Sequence, residues 1–143
     1  LLLFLLINFK KVENLARGIK NNNPMNLRKT AIKWDGKIVG TDKIFETFKD
    51  TEHGIRAGAK VLINYQEKYN LNTINEIMNR YAPSSENDTQ SYIKHIAESL
   101  GVGVDEPINI KDNLFTLVKT IIKHENGINP YPDNIIHDGL AMV

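Results

Sequence analysis

The sequence predicts a mainly α-helical chain with one small β-hairpin near its start, an α+β fold. From residue 50 to the C-terminus, apolar residues recur at the three- and four-residue spacing of amphipathic helices. Before residue 50, an asparagine-rich run is followed by short apolar segments around an Asp-Gly dipeptide. With 143 residues, of which 41% are apolar, the chain can bury one compact core.

The first fifteen residues are expected to be an extension of a single domain, which we place at residues 16–143. The run from Leu1 to Ile7 is apolar, but it is shorter than the ~20 residues that a membrane-spanning helix needs. It also lacks the basic region and small-residue cleavage site of a secretory signal. We therefore expect no stable membrane insertion, and we expect that residues 1–15 need not belong to the native structure.

A loop and then a hairpin are predicted at the start of the domain. The run from Ala16 to Arg28 is rich in asparagine, whose side chain bonds to nearby backbone, and this favours an ordered loop. Asp35-Gly36 suits a two-residue type I′ turn between 32–34 and 37–39. Residues 45–48 fit either a third short strand or an irregular stretch.

Helices are predicted for the remainder. The first begins at Asp50 or Thr51, and its apolar face carries Ile55, Ala59, Leu62, Ile63 and Tyr69. Gly54 and Gly58 weaken this helix but would let another element approach its backbone closely. Further helices are expected from Thr73 until Pro83, from about Asp88 to Leu100, from near Asp112 to Glu125, and after Asp133, with Gly101 and Gly127 as C-caps.

Composition and motifs exclude several classes of function. With 18 basic and 17 acidic residues and a net charge of +1, the chain lacks the overall positive charge that is typical of nucleic-acid-binding proteins. It has no cysteine, and its four histidines, His53, His95, His124 and His137, lack the spacing of metal ligands. Neither a GxSxG nucleophile motif nor a phosphate-binding glycine loop occurs. We therefore expect no metal and no cofactor.

One carboxylate stands out on the last long helix. Leu114, Leu117, Val118, Ile121 and Ile122 form an apolar stripe, and Glu125 continues that stripe where the helix ends before Gly127. Apolar surroundings and the negative end of the helix dipole both favour the protonated acid, which is the form that a general acid donates from. The alternative interpretation is that the Glu125 side chain points into solvent and has no catalytic role.

The stretch TIIKHENGINP, from Thr120 to Pro130, resembles the helix end of lytic transglycosylases and related lysozyme-like enzymes, in which the catalytic glutamate closes an apolar helix. Other segments resemble phage-encoded lysozyme-like virion proteins and, more weakly, bacterial glucosaminidase domains: ARGIKNNNPMNLR from Ala16, Trp34 with Gly36, Phe45 to Phe48, Gly54 to Ala57, and Tyr81 to Tyr92. The resemblance spans Arg17 to Leu140. It departs at Met25, where the phage pattern usually has glycine, and a positive φ there would strain methionine.

The resemblance implies a lysozyme-like domain that cleaves the bond between N-acetylmuramic acid and N-acetylglucosamine in peptidoglycan, with Glu125 as the general acid. In the family the glutamate-bearing helix comes first, so its late position suggests a circular permutation. Glu13, which precedes the asparagine-rich run, is the competing catalytic residue in the conventional order. Most glycosidases use a second carboxylate, and the candidates for it here are weak: Asp35, Glu46, Glu52 and Glu86. Enzymes of the family that this chain resembles can work with a single glutamate.

Five further residues are candidates for substrate binding. Trp34 could stack on a sugar face, and Asn22, Asn23 and Asn26 could bond to N-acetyl groups, whereas a core tryptophan and turn-capping asparagines are equally compatible with the sequence. Tyr81 ends its helix near the same expected cleft.

A second function stays open at this point. The chain could be a phage virion or tail protein that keeps a lysozyme-like fold and no longer cleaves glycan. The expected partners are thus glycan strands of peptidoglycan or other virion proteins. The expected locations are the phage virion and the host periplasm or cell wall, after synthesis in the bacterial cytoplasm.

Overall fold

A computed structural model of the protein describes residues 15–84 and 88–143. Its elements are α1 (Arg17–Lys20), β1 (Lys37–Ile38), β2 (Thr47–Phe48), α2 (Thr51–Tyr69), α3 (Ile74–Tyr81), α4 (Thr89–Leu100), α5 (Leu114–Asn126) and α6 (Asp133–Ala141), with a 3-10 turn at Lys111–Asn113. The predicted fold class, mainly helical with a small antiparallel sheet, is confirmed. The expected extension, apart from Leu15, lies outside the described residues, as do Glu13 and Glu86.

The helix ends follow the capping signals in the sequence. The Asp50 carboxylate accepts a hydrogen bond from the His53 backbone N–H at 2.9 Å and caps α2. The Thr73 hydroxyl accepts from the Glu76 N–H at 3.1 Å and caps α3. Gly101 and Gly127 end α4 and α5 in the left-handed conformation, with φ of 68° and 75°. These caps confirm the predicted boundaries, except that the 3-10 turn delays the start of α5 to Leu114.

The helices pack around α2. Ile55, Ala59 and Leu62 on its inner face are fully buried, as the periodicity predicts. Buried residues of α3, α4 and α5 complete the same cluster, and α6 lies across α2. Tyr69 is 52% exposed, so its predicted place on the inner face is wrong: the last turn of α2 extends beyond the core. In the described part of the chain, no helix is both long and apolar enough to cross a membrane.

The small sheet forms by a different pairing from the predicted hairpin. Strand β1 pairs antiparallel with β2, so that Lys37 lies opposite Phe48. The segment 32–34 does not pair with it, because only Gly36 of the Asp-Gly dipeptide has positive φ, whereas a type I′ turn needs it at both positions. The Lys37 ammonium instead bonds to the carbonyls of Thr30 and Ile32 at 2.8 and 3.1 Å. The third short strand that residues 45–48 suggested is present as β2.

The two glycines of α2 receive the asparagine-rich loop. A Cβ on Gly54 would lie 2.0 Å from the Asn22 carbonyl oxygen, and a Cβ on Gly58 would lie 2.2 Å from the Met25 sulfur. Real side chains do not approach this closely. Gly54 faces loop backbone and therefore requires glycine for the loop to lie where it does, whereas a side chain at Gly58 would displace the Met25 side chain. The predicted close approach to this helix is confirmed.

We predict that Gly54→Ala destabilises the protein by about 1–3 kcal/mol. The opposing atom belongs to the Asn22 backbone and cannot rotate away. Intrinsic helix propensity alone would stabilise the alanine variant by about 1 kcal/mol. A loss in the free energy of unfolding therefore indicates that loop packing outweighs helix propensity. Urea denaturation measures it.

Gly103→Ala is the matched control, because its Cβ would lie in ordinary contact, 3.7 Å from Glu106. This variant should keep the wild-type free energy of unfolding. A Gly54→Ala protein as stable as wild type would contradict the packing described here.

Candidate active site

A cleft of about 480 Å³ lies between the loop after Met25, the β region and helices α2 and α3. Its walls are mostly apolar and aromatic, with two arginines and one carboxylate among the described residues. The lining residues are Asn26, Leu27, Arg28, Thr30, Ile32, Trp34, Phe45, Val61, Tyr65, Arg80, Tyr81, Ala82, Pro83 and Glu125. Four candidates from the sequence therefore line the same cleft: Asn26, Trp34, Tyr81 and Glu125.

Glu125 is half-buried at the last turn of α5, and its two carboxylate oxygens have different donors. The Asn26 side-chain amide donates to Oε2 at 3.0 Å. The Tyr92 hydroxyl donates to Oε1 at 3.2 Å. Because one donor comes from the N-terminal loop and the other from α4, three separate parts of the chain fix this carboxylate.

The two tyrosines near Glu125 remain protonated donors. Burial raises the pKa of Tyr81 well above its usual range, and the Glu125 charge raises it further. Burial also raises the pKa of Tyr92, with Tyr81 and Glu125 adding to the effect. The Tyr81 hydroxyl donates to the Met25 carbonyl, while the Tyr92 ring stacks on His124, with centroids 3.6 Å apart.

Asn26 adopts the left-handed conformation, with φ of 53°, and this turns its amide toward Glu125. Asparagine tolerates this region better than other side chains that carry a Cβ. Met25, by contrast, does not have positive φ. Its side chain is fully buried, and the condition under which methionine would be strained, a positive φ, is not met at this position.

Asn22 and Asn23 lie outside the cleft and hold the loop. The Asn22 amide donates to the Phe48 carbonyl at 3.1 Å. The fully buried Asn23 donates to the Leu27 and Glu46 carbonyls at 2.9 and 3.0 Å and accepts from the Leu27 N–H at 3.0 Å. These bonds correspond to the turn-capping interpretation that the sequence left open.

Trp34 lies between a small buried cluster and the cleft. It packs against a small buried cluster formed by Leu27, Phe48 and Ala57, and it also lines the cleft. Its ring is therefore fixed on one side by the protein while it contributes to the cleft wall.

No second carboxylate lines the cleft in the part of the chain that the structure describes. Asp35 is exposed and pairs with Arg56 at 3.1 Å. Glu46 is buried and pairs with Lys37 at 2.8 Å. Glu52 does not line the cleft either. Within residues 15–84 and 88–143, no three side chains of metal-binding type converge.

Sequence reasoning missed three residues of this region. Tyr92 was expected only as an inward residue of its helix, although a buried tyrosine hydroxyl usually finds a partner. The Asn126 amide donates to the Pro24 carbonyl at 2.8 Å and so ties α5 to the loop. Arg80 lines the cleft, and no periodic pattern marked it.

Over 133 aligned residues the chain is 38% identical to protein P5 of Pseudoalteromonas phage PM2, and the alignment covers 90% of this chain and 82% of P5. The chain belongs to the family of this phage protein. The phage relationship that the sequence motifs suggested is thereby confirmed. No model of a known protein family matches the chain.

We predict that Asn23→Ala destabilises this P5-family protein by about 2–4 kcal/mol, because it removes three buried hydrogen bonds and leaves the Leu27 N–H and the Glu46 carbonyl without their side-chain partner. Thermal or urea unfolding measures the loss. Asn79→Ala, at an exposed position of α3, should stay within about 0.5 kcal/mol of wild type. Equal stabilities for the two variants would show that the Asn23 contacts do not hold the loop.

Proposed function

We propose that this phage-family protein is a peptidoglycan-cleaving glycosidase or lytic transglycosylase in which Glu125 is the general acid and base. The observation that supports this best is the carboxylate itself, held by Asn26 and Tyr92 in an aromatic-walled cleft. Sugar-binding clefts use aromatic faces against the apolar side of the ring and amides against its polar groups.

In this mechanism Glu125 protonates the glycosidic oxygen as the bond to the anomeric carbon breaks. The positive charge that develops on the sugar ring needs a nucleophile, and the cleft offers no second carboxylate among its described residues. The substrate can supply it through its own N-acetyl oxygen or 6-hydroxyl. If the 6-hydroxyl attacks, Glu125 takes up its proton and an anhydro sugar is released.

The proposal extends to the fold and its chain order. A lysozyme-like domain over residues 16–143, with its glutamate-bearing helix moved to the end by circular permutation, would bring Glu125 beside the asparagine-rich loop, as α5 and Asn26 are arranged here. Trp34, Asn26 and Tyr81 would contact sugar. The protein would act from the phage virion or in the host periplasm or cell wall.

Purified protein incubated with peptidoglycan provides the direct test. Mass spectrometry of the released muropeptides distinguishes anhydro products of a transglycosylase from reducing ends produced by a hydrolase. An absence of released products from several cell walls, at neutral and mildly acidic pH, would rule out the enzymatic proposal.

Glu125→Gln is expected to lower the rate of glycan release by at least about 100-fold, because the amide cannot transfer a proton. Folding should survive, with a change in the free energy of unfolding of about 1 kcal/mol or less, since the amide keeps the shape of the side chain and part of its hydrogen bonding. Muropeptide release and urea unfolding measure the two effects.

Two controls accompany this variant. Glu98→Gln changes an exposed glutamate of α4 outside the cleft and should retain full activity. Glu13→Gln should also retain activity. An active Glu125→Gln protein beside an inactive Glu13→Gln protein would restore the conventional chain order and disprove the permutation.

Tyr92→Phe should lower kcat about tenfold and leave KM unchanged, because Tyr92 positions Glu125 but does not line the cleft. The phenyl ring can still stack on His124, so the free energy of unfolding should change little. Steady-state kinetics on soluble glycan fragments separate the two constants. A raised KM with unchanged kcat would assign Tyr92 to substrate binding instead.

A second candidate function is a virion or tail protein that binds wall or virion components without cleaving glycan. It is favoured by the single carboxylate of the described cleft and by the relationship to a phage protein. Incorporation into particles together with wall binding, and without muropeptide release, would support it. Turnover of purified wall would exclude it.

A further inference from the structure

Arg80 presents a guanidinium that is held in place by aromatic rings. It lies over the Tyr69 ring at 3.9 Å from the centroid and 5.2 Å from the centroid of the Tyr65 ring. Stacking of this kind orients the planar guanidinium, which also forms a side-chain hydrogen bond with the Tyr65 phenol. Arg80 is thus more ordered than an ordinary exposed arginine at the end of a helix.

This guanidinium has no anionic partner within residues 15–84 and 88–143. None of the ion pairs among those residues includes Arg80. Tyr65 does not supply a negative charge, because burial raises the pKa of its phenol despite the opposing charge of Arg80. Arg80 also lines the cleft that contains Glu125. A pre-oriented cation therefore lies on the wall where a substrate would bind.

The charges of the cleft point to the type of group that it would bind. Arg80 lines the cleft together with one described carboxylate, Glu125, and no ion pair joins the two. The planar guanidinium matches a carboxylate in a bidentate arrangement, with two parallel N–H···O bonds. A carboxylate on the glycan would form an ion pair with Arg80, whereas a neutral sugar would leave Arg80 without an anionic partner.

We propose that Arg80 is a carboxylate-binding subsite that makes the cleft select glycans bearing a free carboxylate, such as N-acetylmuramic acid whose lactyl group carries no stem peptide, over neutral N-acetylglucosamine polymers. This inference rests on the proposed glycan-binding function and names its specificity-determining residue. The ligand pairs with Arg80 while the bond to be cleaved lies at Glu125.

The test measures binding without turnover in a Glu125→Gln background. Trp34 is the single tryptophan of the chain and lines the cleft, so its fluorescence reports occupancy directly. The two ligands are a tetrasaccharide of alternating N-acetylglucosamine and N-acetylmuramic acid, and the N-acetylglucosamine tetramer. We expect the acidic ligand to bind at least about tenfold more tightly than the neutral one. Added salt should reduce this difference in affinity.

Adding Arg80→Gln should remove about tenfold of affinity for the acidic tetrasaccharide and leave the neutral tetramer unaffected. Arg80→Lys should keep part of the affinity that Arg80→Gln loses, because lysine keeps the positive charge but lacks the planar guanidinium that binds a carboxylate with two N–H groups. Lys94→Gln removes one exposed positive charge outside the cleft and should change neither affinity. Equal weakening of both ligands would assign Arg80 a structural role and overturn the subsite, and so would a lack of preference in the Arg80-containing protein.

Failure of this proposal and failure of the proposed function give different results. Wild-type protein that releases muropeptides while Arg80→Gln shows no ligand-selective loss would refute only the subsite. Protein that cleaves no wall yet shows the Arg80-dependent preference would refute only the catalytic proposal. In an active protein, the Arg80→Gln effect should be found in KM for acidic glycan, with kcat retained.

Discussion

The close contact between the asparagine-rich loop and α2 is the constraint on which the cleft depends. Gly54 and Gly58 are one turn apart on the same face, and the loop lies directly against their backbone. Two other helices then attach to the carbonyls of this loop: Tyr81 of α3 bonds to Met25, and Asn126 of α5 bonds to Pro24. Since Asn26 follows in the same loop, its position beside Glu125 is determined by the same contacts.

A loop buried this deeply must satisfy its backbone polar groups from within the protein. Asparagine is suited to this because one short side chain offers two donors and an acceptor, as Asn23 shows. Asparagine also tolerates the positive φ found at Asn22 and Asn26. Gly18 contributes by its lack of a side chain, because a Cβ there would lie 2.6 and 2.7 Å from the amide oxygens of Asn126 and Asn26. The asparagine-rich composition therefore reflects the architecture of the loop before any contact with substrate.

Local signals were sufficient to predict the helices, their caps and the glycine contact, since each depends on residues close together in the sequence or on the absence of a side chain. The pairing of β1 could not be predicted, because the Lys37 side chain satisfies carbonyls that a hairpin would otherwise use. The bond from Tyr92 to Glu125 and the stacking of Arg80 on Tyr69 join separate helices or helix ends. No periodicity encodes such contacts, so the sequence could indicate Glu125 but not the groups that hold it.

The character of the donors around Glu125 explains why this carboxylate, rather than Glu46, suits the proposed chemistry. Glu46 is buried and forms an ion pair with the Lys37 ammonium. Glu125 forms no ion pair with the described residues, and its donors are an amide and a phenol, which orient it without a formal charge. A group that must donate and recover a proton during one reaction has to reach the substrate, and Glu125 lines the cleft whereas Glu46 does not. Arg80 lines the same cleft and forms no ion pair with Glu125, so it can bind the substrate while the carboxylate remains available for proton transfer.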